Sequence, residues 1–125
     1  MCDCNNENIF LPQVCDIVEA TMITATEKHF KLKMQSGERL DFEPGQILEV
    51  GLFGYGEIPL GLASSPSNDS GTFDLVVRVL GKVSKALGDL NAGDTVTVRG
   101  PLGNGFPVDE FKGQDVLIVA GGIGL

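Results

Sequence analysis

The residues best suited to chemistry lie in two glycine-bearing segments rather than in a cluster of acids and bases. In the first, Gly81-Lys82-Val83-Ser84 follows the β-branched run that ends at Arg78-Val79-Leu80. Val83, Leu87 and Leu90 then recur at helical spacing. The first amides of a helix have no partner within it and lie at the positive end of its dipole, so they suit a phosphate. Gly81 permits close approach, the Val83 and Ser84 amides point outward, and the Ser84 hydroxyl can donate. An ordinary helix with Ser84 as its N-cap fits the same spacing equally well. Arg78 stands alone as a charge within Leu75 to Leu80. It is either an outward-facing strand residue or the counter-charge of a bound anion. In the second segment, Gly121-Gly122-Ile123-Gly124 follows the apolar run Val116 to Ala120. Glycines directly after a buried strand let a turn approach a nucleotide, and a helix should follow.

Other reactive side chains form no constellation. Asp74, Asp94 and Asp109 have no catalytic neighbour in sequence and read as solvated turn carboxylates. There is no Gly-x-Ser-x-Gly elbow. The single histidine, His29, lies beside Lys28 in a strand-like run and reads as a solvated or edge residue. Cys2, Cys4 and Cys15 lack the spacing of a disulfide framework or a metal site. Any reaction would therefore be carried by a bound cofactor. The unpaired cysteines favour a reducing, cytoplasmic setting.

The elements that would position these segments are short and punctuated. Seventeen glycines and six prolines cluster between apolar runs, as in strands joined by turns. Strands are predicted at Val14 to Thr24, His29 to Met34, Ile47 to Phe53, Leu60 to Ala63, Thr72 to Leu80 and Thr95 to Arg99. In the second, Phe30, Leu32 and Met34 alternate with Lys31 and Lys33. A helix of about two turns is predicted at Ser84 to Leu90. The fold class that follows is all-β: a six-stranded antiparallel Greek-key barrel with one short capping helix, closed so that no strand edge is left exposed. Val116 to Ala120 is continuously apolar, unlike the alternating strands, and reads as an orphan strand of an α/β domain. The expected organisation is a frayed terminus at 1–11, the barrel at 12–112, and the start of a second domain at 113–125.

Bulk properties narrow the partners. With 17 acidic against 9 basic residues, the net charge of -8 repels nucleic acid phosphates. No apolar run reaches the roughly 20 residues needed to span a bilayer, so neither nucleic acid nor membrane is an expected partner.

One ordered series goes further. Pro44-Gly45-Gln46, Pro59-Leu60-Gly61-Leu62-Ala63-Ser64-Ser65-Pro66, Arg78-Val79-Leu80-Gly81-Lys82-Val83-Ser84, Gly93-Asp94 and Gly100-Pro101-Leu102-Gly103 occur in that order. The series resembles the flavin domain of the ferredoxin–NADP reductase superfamily. It is most similar to electron-transfer subunits found with hydrogenases, sulfite reductases and dihydroorotate dehydrogenase. The resemblance covers residues 12–125. It implies FAD as cofactor, held at Pro59, Leu60, Gly61 and Leu62, at Val76, Val77 and Arg78, and at Gly81, Val83 and Ser84. It also implies that Gly121, Gly122 and Gly124 open a nicotinamide-binding domain for NAD(P), whose helix would follow Leu125. An iron–sulfur electron-transfer subunit is the implied partner, and the chain alone should lack complete reductase activity.

The family's Arg-x-Tyr-Ser motif falls on Ile58, Pro59, Leu60 and Gly61, so its Arg, Tyr and Ser are all absent here. The residues alone also allow a cofactor-less barrel that serves as a docking module, or a fragment without its own role.

Overall fold

The computed structural model describes residues 8–68 and 70–124. Six strands carry the fold: β1 (Gln13–Met22), β2 (Glu27–Met34), β3 (Ile47–Leu52), β4 (Gly56–Gly61), β5 (Thr72–Arg78) and β6 (Thr95–Leu102). The alternation expected in β2 is present, with Phe30, Leu32 and Met34 buried and Lys33 exposed. β3 and β5 alternate likewise, burying Leu48 and Val50 in one and Phe73, Leu75 and Val77 in the other. One face of every strand thus turns inward, as a period of two residues requires.

All the strand pairs are antiparallel, in the order β4-β3-β6-β1-β2-β5. β6 inserts between β1 and β3, which is the Greek-key crossing. Among the described residues the two ends of the sheet, β4 and β5, meet through the single bridge Leu62↔Leu75. A bond from the Ala63 amide to the Asp74 carbonyl (2.8 Å) supports that bridge. The sheet is therefore a barrel whose seam is closed at one point. Ile17, Leu32, Leu48, Phe73, Leu75 and Leu87 fill its interior. Burying each such side chain stabilises the fold by about 1.5–3 kcal/mol.

Helix α1 (Lys82–Gly88) plugs one end of the barrel with Leu87. It starts two residues earlier than predicted, and Gly81, not Ser84, is the N-cap. Ser84 is buried in the first turn. Its hydroxyl accepts from the Gly81 (2.7 Å) and Leu80 (3.0 Å) amides and bonds back to the Gly81 carbonyl (3.2 Å). That bonding tightens the approach to the helix, so Ser84 braces the turn from within.

Three further segments depart from the strand pattern. Asn8 to Leu11 forms a turn closed by the Leu11 amide on the Asn8 carbonyl. The Ile9 carbonyl accepts from Arg99 Nη1. The remainder of the predicted frayed terminus, with Cys2 and Cys4, lies outside the described residues, as does Asp69. A second short helix, α2 (Val108–Phe111), is also present. It follows Phe106, whose ring lies over Gly45 so closely that a Cβ there would meet it at 2.7 Å. The third departure is Val116 to Ala120, which is not a strand. Leu117, Ile118 and Val119 are exposed, and the run pairs with no strand among the described residues. A strand exists only where a neighbour takes its ladder hydrogen bonds.

Candidate functional site: a cleft at the barrel seam

Beyond the Leu62↔Leu75 bridge, β4 and β5 diverge. β4 gives its other edge to β3, and β5 gives its other edge to β2. A cleft of about 520 Å³ opens where they part, lined by His29, Gly61, Leu62, Ala63, Val76, Ile123 and Gly124. Its volume falls in the ordinary range for small-ligand sites. Gly61 contributes bare backbone to the wall, and a Cβ there would meet nothing within 4 Å.

Of the residues predicted from sequence, Gly61, Leu62, Val76 and Gly124 come together in this cleft. Pro59 is exposed on β4, whereas Leu60 and Ile58 lean on the core. Val77 is fully interior, so only its backbone is available to a ligand. Arg78 ends β5, and Gly81, Val83 and Ser84 follow at the start of α1. Gly121 and Gly122 are exposed and outside the cleft wall.

Two side chains stand differently from the sequence reading. Asp74 is not a solvated turn carboxylate. It sits in mid-β5 with its side chain 23% exposed, and its Oδ2 lies 3.5 Å from His29 Nε2. Its Oδ1 is buried without a hydrogen-bond partner. His29 is correspondingly a wall of the cleft rather than a solvated edge residue. Sequence reasoning missed it because the signal is non-local. Alternation puts His29 on the outer face of β2, but only the β2–β5 register sets it opposite Val76.

Arg78 is anchored. Its Nε donates to Glu27 Oε1 at 2.6 Å, and neither terminal nitrogen makes a hydrogen bond within the described residues. Glu27 also accepts from the Thr24 and Thr26 hydroxyls. The Thr24 hydrogen bond, then those of Arg78 and Thr26, pull the Glu27 carboxyl down to about 2. The carboxylate thus stays ionised and holds the guanidinium at the end of β5.

These features fit a flavin. Leu62 and Val76 offer apolar surface to a flat ring, and the diverging strands offer backbone polar groups. Arg78 ends β5, and the Gly81–Ser84 turn follows it at the start of α1. Among the described residues no three His, Cys, Asp or Glu side chains gather as a metal site, and no helix is long and apolar enough to cross a membrane.

Comparison with known proteins agrees with the geometry. Residues 14–106 match the oxidoreductase FAD-binding domain family. The chain is 39% identical over 122 residues to the sulfhydrogenase 1 γ subunit of Pyrococcus furiosus, covering 95% of this chain and 41% of that protein. It is 33% identical over 99 residues to a probable electron transfer subunit of dihydroorotate dehydrogenase B (NAD(+)) from Methanopyrus kandleri, covering 79% and 36%. The chain thus spans less than half the length of these curated relatives. Among solved structures, that of NADH-dependent reduced ferredoxin–NADP oxidoreductase superposes with a TM-score of 0.64 at 33% identity, covering 74% of this chain and 33% of that one. Phthalate dioxygenase reductase shares the fold, with a TM-score of 0.67 at 21% identity over 74% and 30% of the two chains. The family match spans all six strands but for the first residue of β1 and includes the β2, β4 and β5 walls of the cleft, and the chain belongs to the oxidoreductase FAD-binding domain family.

Proposed function

We propose that this chain is the flavin-holding part of a larger cytoplasmic oxidoreductase that passes electrons between NAD(P)H and a one-electron acceptor such as an iron–sulfur subunit. The observation that carries this reading is the seam cleft, which brings Gly61, Leu62 and Val76 together within the family match. The names of the relatives, a sulfhydrogenase subunit and electron transfer subunits, support the acceptor side. Bound FAD would supply the chemistry, accepting a hydride and releasing electrons singly.

In this reading the chain's own residues bind and orient. Leu62 and Val76 cover the flavin ring, and the backbone of Pro59, Leu60, Val76 and Val77 lines its edge. Arg78, steadied by Glu27, provides positive charge for the pyrophosphate in place of the arginine absent at Ile58. The amides of Lys82, Val83 and Ser84 serve the same group, while the Gly81 amide is spent on the Ser84 hydroxyl that braces the turn. Residues 113–125 begin the nicotinamide-binding unit through Gly121, Gly122 and Gly124.

The test is titration of the purified chain with FAD, followed by flavin absorbance and fluorescence. Saturable one-to-one binding is expected, with no sustained NAD(P)H-dependent dye reduction by the chain alone. Absence of FAD binding would overturn the reading.

A further inference from the structure

The side chains that line the seam cleft are apolar with one exception. Gly61, Leu62, Ala63, Val76, Ile123 and Gly124 present carbon or bare backbone. Among the described residues, His29 is the one polar side chain in that wall. A ring with nitrogen and oxygen atoms along its edge therefore meets a single side chain able to exchange hydrogen bonds with it.

His29 also has a carboxylate beside it. It lies opposite Val76 in the β2–β5 ladder, so Asp74, two residues along β5, is its diagonal neighbour. Diagonal neighbours on one face of an antiparallel pair are within reach of an imidazole. The imidazole turns its Nε2 toward Asp74 Oδ2 at 3.5 Å. Asp74 is fixed in turn, since its amide donates to Ser64 Oγ at 3.0 Å. Its carbonyl accepts from Ala63 at 2.8 Å. The other carboxylate oxygen is buried without a partner, and Lys31, directly opposite Asp74 in the ladder, pairs instead with Glu19 at 3.2 Å.

We propose that His29, oriented by Asp74, meets the polar edge of the flavin ring and favours its reduced form; this rests on the flavin reading above. A ring nitrogen facing a carboxylate keeps its proton there. In the neutral imidazole the opposite nitrogen is then an acceptor. In the charged imidazole it is a donor that carries positive charge. A reduced flavin has an added N–H, and when ionised a negative charge. An acceptor nitrogen aimed at the added N–H, or a charged imidazole beside the ionised ring, therefore binds the reduced ring better than the oxidised one. Asp74 is a positioning residue, because it acts through the imidazole.

The experiment compares the FAD-loaded full chain with His29→Leu, His29→Gln and Asp74→Asn. The affinity for oxidised FAD is read by fluorescence, and the midpoint potential by equilibrium reduction against a reference dye. His29→Leu is expected to lower the preference for reduced over oxidised flavin about tenfold, which is about 30 mV more negative for a two-electron couple. His29→Gln should fall between the wild type and His29→Leu, and decides the matter if the leucine variant loses FAD. Asp74→Asn should shift the potential in the same negative direction. Merely removing a negative charge near the flavin would instead raise it, so the sign separates positioning from simple charge. An unchanged potential in the His29 variants, or a rise in Asp74→Asn, overturns the proposal while leaving FAD binding intact. Failure of the wild type to bind FAD overturns both readings.

Discussion

The Lys28 ammonium nitrogen lies 2.6 Å from the Leu90 carbonyl oxygen and 2.9 Å from that of Gly88. A buried lysine of β2 thereby closes the C-terminal end of α1, where carbonyls have no partner within the helix. The same ammonium sits 5.5 Å from the centre of the Phe30 ring. The helix that presents Gly81 to Ser84 is thus fastened to the barrel by a cation as well as by Leu87.

Replacing Lys28 with Met keeps the apolar stem and removes the donor. Two carbonyls then lose a charged partner, and a loss of about 2 kcal/mol in unfolding free energy is expected. Urea denaturation monitored by circular dichroism measures it. A midpoint equal to the wild type would show that the contact contributes nothing.

Glu27 gives the fold an acid-sensitive contact. Its carboxyl is held at about 2, below the ordinary 4.5. A carboxyl lowered on folding adds stability above its unfolded value and loses it as pH falls through the folded one. The stabilisation is therefore complete above about pH 5 and fades between about 4.5 and about 2. Thermal midpoints of the wild type and Glu27→Gln should differ at pH 7 and converge toward pH 2. A gap that is constant with pH would contradict this assignment.

Gly61→Ser supplies a hydroxyl to the cleft wall in open space, since a Cβ at this position meets nothing within 4 Å. Stability should change by less than about 0.5 kcal/mol, as for other unconstrained surface positions. FAD affinity should rise, because the cleft acquires a hydrogen-bonding group beside the backbone of β4. Fluorescence titration decides it, and weaker binding would mean that bare backbone at Gly61 is needed for close approach.

Local patterns were the legible part of this fold. Phe30, Leu32 and Met34 announce the inward face of β2 because strand geometry repeats every two residues, whatever the partner. Non-local facts were not legible. The spacing of Asp74 on its own strand carries no trace of His29, because their meeting depends on a register set across some 45 residues. Ser84 was misplaced by three positions because serine serves either as an N-cap or as a brace from the first turn, and the two share one sequence signature. Val116 to Ala120 has the composition of a buried strand, yet composition does not supply a pairing edge.

The seam described above has a kinetic meaning. β4 and β5 part without a ladder between them beyond Leu62 and Leu75, so a flat ligand enters the gap without breaking any strand pairing. The strands on either side are already held by β3 and β2. On the β4–β5 side, occupation of the cleft is then docking onto a preformed surface, with little ordering entropy from these strands to oppose binding. The association rate should accordingly scale with flavin concentration rather than saturate at the speed of an opening step.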